Sequence, residues 1–185
     1  WQARNFPWLS YFVPDVGPAS AIYKSLDGGR TWEKLAGGGW PSTEIGRVGL
    51  AAAAGGRVYA LVDAPPAASG SASVAGLYRS DDAGTSWSRV NDTPGLGSSY
   101  MNRLTVDPRD RDVVFVTGQS LRRSEDGGKS LHFFRGAPGG DDYHFLWINP
   151  KNPRLMVTAS DQGTVVTLNG GRSWSNWYNQ PTGQF

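Results

Sequence analysis

An all-β repeat architecture is the fold class that the sequence predicts, on three observations. An octapeptide recurs four times: SLDGGRTW at 25–32, SDDAGTSW at 80–87, SEDGGKSL at 124–131 and TLNGGRSW at 167–174. Its copies start 55, 44 and 43 residues apart, and a period of roughly 40–50 residues belongs to the four-stranded blades of a β-propeller. The composition agrees: among 185 residues there are 25 Gly, 12 Pro and 8 Trp, as suits short strands joined by tight turns. The sequence is therefore read as a single propeller segment over 1–185, with repeats at 1–38, 39–92, 93–137 and 138–185.

The first repeat is short. Strands are expected only at 22–25 and 32–35, because residues 1–20 carry three Pro and do not align as two ordinary strands. The second repeat has candidate strands at 48–52, 58–62, 76–79 and 87–90. Its extra length is assigned to an inserted surface loop at 64–76, small and rich in Pro, Gly and Ser. The third and fourth repeats match strand for strand: 103–107, 113–117, 120–124 and 131–134, then 143–148, 155–159, 164–167 and 174–178. Asp107-Pro108 and Asn149-Pro150 end the two first strands alike, since Pro cannot donate to a ladder. A count of four, four, four and two strands leaves an incomplete ring. The expectation is either a fragment of a larger propeller or a first blade completed by an irregular N-terminal stretch.

The octapeptide sits between third and fourth strands and must reverse the chain. Asp27, Asp82, Asp126 and Asn169 can tie the turn by accepting bonds from backbone N–H groups further along. Gly29, Gly84, Gly128 and Gly171 supply positions where φ is positive or a side chain would clash. Trp32, Trp87 and Trp174 are expected to bury their rings between neighbouring sheets, with Leu131 doing so in the third copy. A calcium-loop reading of Asp-x-Asp-x-Gly lacks the Glu at the twelfth position and the flanking helices that it requires. No metal site and no cofactor are assigned.

Bulk properties narrow the functional classes. Eighteen basic residues against 16 acidic give a net charge of +2, with no long basic cluster, so nucleic acid is not an expected partner. No run approaches the ~18 apolar residues of a membrane span, and membrane insertion is not expected. There is no Cys, which removes disulfides and thiol catalysis. The first residues lack the basic and apolar regions of a signal peptide, and the chain reads as cut from something longer.

Two segments are placed to meet a ligand at the axial face of a propeller, opposite the octapeptide turns. One is 139–144, leading into the first strand of the last repeat, with Asp141, Asp142 and His144. The other is 160–163, between that repeat's second and third strands, with Asp161 and Gln162. His144 beside Asp142 can titrate near neutrality or hold a ligand, but a lone His at a strand start is more often a hydrogen-bonded structural residue. Arg47 and Arg103 stand at first-strand starts. No Ser-His-Asp arrangement, phosphate loop or Gly-x-Ser-x-Gly is present. The strip 174–185, rich in aromatics and amides, suits either sugar stacking or packing on a neighbouring blade.

The four octapeptides at this period resemble the Asp boxes (BNR repeats) of sialidases, sortilin-type receptors, xyloglucan-cleaving glycosidases and photosystem assembly factors. The stretches 22–32, 76–87 and 141–185 look most similar to large bacterial sortilin-like or glycosyl-hydrolase-like repeat proteins. The resemblance covers most of the chain from about residue 20. It implies the propeller fold strongly and function weakly, because enzymes, receptors and assembly factors share it. The expected role is a non-catalytic binding or scaffold module taking a glycan or protein ligand. The alternatives are part of a glycoside hydrolase or an assembly factor for a membrane complex. The resemblance also favours a secreted or periplasmic setting.

Within the glycosidase alternative, the xyloglucan-cleaving enzymes carry a catalytic Asp in a Thr-Asp-x-Gly-Gly setting. Ser160-Asp161-Gln162-Gly163 is similar but lacks the second Gly, which makes Asp161 the candidate catalytic residue. Hydrolysis needs two carboxyl groups about 5–10 Å apart. The comparable loops offer no clear second acid: Gln119 stands in the third repeat, and Asp63, without the motif, in the second. A sialidase site would need three arginines and a Tyr/Glu pair, and only Arg47 and Arg103 suggest themselves. An incomplete ring also exposes sheet faces, so neighbouring blades or a second copy are expected partners.

Overall fold

The computed structural model describes residues 16–66, 72–96 and 101–178. Thirteen strands and one short 3-10 turn account for its regular structure. The chain divides into two compact units, Trp1–Asn102 and Arg103–Phe185.

The first unit holds a two-stranded sheet, β1 (Tyr23–Lys24) with β2 (Glu33–Lys34). It also holds a four-stranded antiparallel meander of β3 (Val48–Ala52), β4 (Val58–Val62), β5 (Gly76–Ser80) and β6 (Ser88–Asn91). Strand β4 is buried almost throughout, from Tyr59 to Val62, as an apolar run flanked on both sides within a sheet should be. Its Ala60 and Val62 pack with Ile22, Trp40, Ile45, Tyr78 and Trp87. The ring of Trp40 sits 5.5 Å from Tyr78 and 4.9 Å from Trp87. Of the loop expected at 64–76, residues 67–71 lie outside the described residues, and Gly76 already belongs to β5.

The second unit holds another four-stranded meander: β7 (Leu104–Val106), β8 (Val114–Val116), β9 (Leu121–Ser124) and β10 (His132–Arg135). Beside it lies a three-stranded sheet of β11 (Tyr143–Ile148), β12 (Met156–Ser160) and β13 (Gly163–Thr167). The two sheets enclose Phe115, Leu121, Tyr143, Leu146, Ile148 and Met156, and Thr105 donates its hydroxyl across to the Leu146 carbonyl. The strand expected at 174–178 does not form among the described residues. Ser175 N–H bonds the Val166 carbonyl, but the Val166 N–H is taken by the Ser175 hydroxyl. That side-chain bond substitutes for the ladder and ends it.

All four octapeptides form one turn. In the first, the Ser25 hydroxyl donates to Asp27 and accepts from Gly29 N–H, while Asp27 accepts from Arg30 N–H, Thr31 N–H and the Thr31 hydroxyl. Ser80, Asp82 and Ser86 repeat this core of bonds, as do Ser124, Asp126 and Ser130. These donors hold the carboxyls of Asp27, Asp82 and Asp126 down at about 2. In the fourth turn the Asn169 oxygen accepts from Ser173 N–H and its NH2 donates to the Ser173 hydroxyl. Gly29, Gly84, Gly128 and Gly171 all adopt positive φ, between 88° and 91°. Each preceding residue is left-handed as well, and in the second turn that residue is Ala83, at φ 56°.

The tryptophans depart from expectation. Each indole N–H bonds the glycine carbonyl of its own turn, yet only Trp87 is fully buried. Trp174 is half-buried, and Trp32 is 60% exposed. The reason is the preceding sheet. Leu35, just after β2, lies over Gly84, and the Phe134 ring of β10 lies over Gly171 so closely that a Cβ there would collide with it. Trp87 and Trp174 pack beside these contacts. At Gly29 a Cβ would meet only the Trp32 ring of its own turn among the described residues, and Trp32 stays largely exposed.

Candidate functional site

The site is built on β11, β12 and the segments that feed them. Strands β12 and β13 are joined by the two-residue turn Asp161-Gln162, with Ser160 paired to Gly163. Two-residue hairpin turns demand left-handed backbone or glycine near the reversal, and Gly163 follows at φ 129°. The segment before β11 is tied down by Tyr143. Its ring is wholly buried, its hydroxyl donates to the Gly139 carbonyl, and its N–H bonds the Gly118 carbonyl of the β8–β9 loop. That last bond brings the loop carrying exposed Gln119 alongside.

The two candidate segments then lock onto each other. Asp161 N–H donates to the Asp141 carbonyl at 3.3 Å, and Asp141 N–H donates to the Gln162 side-chain oxygen at 2.8 Å. Asp142 is left-handed at φ 52°, its N–H on the Asp141 carboxylate. The β11–β12 register slips between Tyr143 and Phe145, which leaves His144 as the extra residue of a bulge. Bulges re-aim side chains, and here His144 Nε2 lies 2.7 Å from Asp161 Oδ1. All five residues singled out from sequence thus fall on one surface.

That surface is polar, acidic and open. The side chains of His144 and Asp161 are 40% and 51% exposed, so their pairing contributes little stability and leaves both within reach of a ligand. The Asp142 carboxyl is pushed up from the ordinary carboxylate range by burial first, then by the charges of Asp141 and Asp161, with His144 opposing. Among the described residues no group of three or more His, Cys, Asp or Glu is arranged to hold a metal ion. The turn aspartates are no better suited to one, since their oxygens already accept the turn's own donors.

Asp63 is the residue whose environment the sequence did not expose. It follows β4 and is 4% exposed, with burial pushing its carboxyl up to about 7 against the pull of Ala64 N–H and Arg47. Its signal is positional. Strands β4, β8 and β12 pair with the preceding strand in one register, Val58 with Ala52, Val114 with Val106 and Met156 with Ile148. Counting forward from these residues places Asp63, Gln119 and Asp161 at one equivalent position. Of the two arginines at first-strand starts, Arg47 acts on Asp63, and exposed Arg103 lends its carbonyl to Thr117.

Comparison with known proteins bears on the fold. No protein-family model matches the chain. The vacuolar protein sorting/targeting protein 10 of Colletotrichum graminicola is 39% identical over 91 residues, which cover 46% of this chain and 6% of that protein. Among solved structures, an ancestral GH74 enzyme aligns with TM-score 0.57 at 15% identity, covering 90% of this chain and 23% of the other. The GH74 xyloglucanase from Xanthomonas campestris aligns with TM-score 0.53 at 20% identity, covering 69% and 22%. The chain therefore spans a small part of each of these proteins, and the GH74 likeness is one of fold. In its repeated turn, its four-stranded meanders and these likenesses, the chain resembles the Asp-box (BNR) repeat β-propeller proteins.

Proposed function

We propose that the chain is a binding module whose ligand, a protein segment or glycan rich in hydrogen-bond donors, meets the surface of Asp141, Asp142, His144, Asp161 and Gln162. The observation that carries this reading is the mutual locking of segments 139–144 and 160–163. It holds the exposed carboxyls of Asp141 and Asp161, the half-buried carboxyl of Asp142 and an imidazole in fixed positions before any ligand arrives, which lowers the ordering cost of binding. The net charge of this surface favours donors that are cationic, such as Lys or Arg side chains, over neutral ones. The test is capture of basic peptides and neutral glycans by the immobilised chain, compared with Asp161→Asn and Asp141→Asn. Loss of capture in both variants supports the reading, and capture unaffected by either removes this surface from the function.

One observation favours a second reading, part of a glycoside hydrolase. The raised carboxyl of Asp142 stands near the charge of Asp161, and hydrolysis of a glycoside needs a carboxyl that keeps its proton near a second carboxyl group. Reducing-sugar release from xyloglucan, abolished by both Asp142→Asn and Asp161→Asn, would establish it. No release from xyloglucan or sialosides leaves the binding reading.

A further inference from the structure

Asp63 lies apart from the surface just described, in the first unit. Residues 46 and 47 both face it across a bulge: Gly46 N–H donates to the Asp63 carbonyl at 2.8 Å, and Asp63 N–H donates to the Arg47 carbonyl at 3.0 Å. The backbone closes over the carboxyl, since a Cβ at Gly46 would stand 3.2 Å from Asp63 Oδ2. That oxygen is buried and has no hydrogen-bond partner among the described residues.

A second buried oxygen shares this predicament. Asn102, 4% exposed, donates both of its side-chain N–H groups to backbone carbonyls, to Arg47 at 2.8 Å and to Leu61 at 2.9 Å. Those two carbonyls fix the orientation of the carboxamide, because turning it over would set oxygen against oxygen. Asn102 Oδ1 is then left without a donor. Both orphaned acceptors belong to residues that donate to one atom, the Arg47 carbonyl: Asp63 through its backbone N–H and Asn102 through its side chain. Two buried acceptors left unsatisfied cost several kcal/mol in general. A single proton removes the conflict by turning one acceptor into a donor.

We infer that Asp63 is carried as the neutral acid and donates its carboxyl proton to Asn102 Oδ1, forming a latch that holds residues 101–102 on β3 and β4 and opens when Asp63 ionises. The Ala64 N–H and, after it, the charge of Arg47 favour ionisation of Asp63. Burial acts the other way and prevails. The latch is therefore closed in mild acid and released as pH climbs through neutrality, freeing the Asn102 amide from its two carbonyls.

Carboxyl-carbon NMR of the full chain tests this. Asp63 is expected to titrate near pH 7, and Asn102→Ala to lower that midpoint, because the neutral form loses its acceptor. If burial alone raised the midpoint, Asn102→Ala would leave it in place. The Asn102 side-chain protons should be protected from exchange at pH 6 and lose that protection by pH 8, after correction for intrinsic rates. In Asp63→Asn, whose NH2 donates at every pH, protection should persist. An ordinary carboxylate midpoint for Asp63, a midpoint unmoved by Asn102→Ala, or equal protection at both pH values overturns the latch. If Asp63→Asn fails to fold, the wild-type titration and Asn102→Ala still decide.

Discussion

Replacing Trp87 by alanine should destabilise the first unit far more than replacing Trp32. Both indoles occupy the same place in the same turn and make the same bond, to Gly84 at 3.1 Å and to Gly29 at 3.0 Å. They differ in what covers them: Trp87 is 6% exposed and Trp32 60%. A tryptophan ring buries on the order of 200 Å2, worth about 5 kcal/mol at ~25 cal/mol per Å2, and large-to-small core changes of this type cost roughly 3–5 kcal/mol. Trp32 hides two-fifths of its surface and so stands to lose about 2 kcal/mol by the same arithmetic. The predicted gap is about 2–3 kcal/mol, readable as a shift of the guanidinium midpoint followed by far-UV circular dichroism, which does not depend on tryptophan emission. Both residues lie in one unit, so both losses fall on one transition. Equal losses would refute the reasoning. They would mean that the indole bond to the turn, common to both, carries the contribution, and that packing on the preceding sheet adds nothing.

Three further outcomes follow from the turns and the site. Ala83→Gly should stabilise the chain by up to about 1 kcal/mol, since a left-handed residue with a Cβ carries strain; Gly84→Ala should destabilise it, and thermal denaturation distinguishes the two. The carboxyls of Asp27, Asp82 and Asp126 are depressed, so their stabilisation is complete above pH ~4 and is lost as pH falls toward 2; changing all three to Asn should flatten the fall of Tm across that window. His144→Gln and Asp161→Asn should each change stability by less than about 1 kcal/mol, as exposed ion pairs do, so lost ligand capture without a shifted Tm marks them as contact residues.

Much of this was legible in the sequence because the repeat is a local code. Each octapeptide contains nearly every donor and acceptor of its own turn, so Ser25, Asp27 and Thr31 declare the geometry without reference to anything distant. The strands of the middle repeats were legible for a similar reason, through apolar runs bounded by Pro and Gly. What depends on neighbours was not. The exposure of Trp32 depends on what lies over its turn, which the octapeptide does not encode. The missing strand after β13 is decided by one serine hydroxyl taking the place of a carbonyl. Topology put the segments of Asp141, Asp161 and Gln162 at one end of a channel, but neither their hydrogen bonds nor the bulge that aims His144 at Asp161 was legible, since a one-residue slip leaves no mark on composition. Asp63 was visible as an acid in the comparable loop of the second repeat, but its burial was not, because burial is a property of the fold around it and its neighbours in sequence look like any loop.

The contact of Leu35 with Gly84, and of Phe134 with Gly171, bears on how such a chain grows and recombines. The residue that ends one blade is matched in size to the glycine that opens the next blade's turn. The leucine would press on a Cβ and the phenylalanine would collide with it, so the two junctions are not interchangeable. Moving a whole blade to a new position would therefore bring mismatched edges together at these junctions. The portable module is the junction itself, from the last strand of one blade to the turn of the next. Duplications and chimeras whose crossover points fall in mid-blade should keep that junction intact and fold, whereas those cut at the repeat boundary should not.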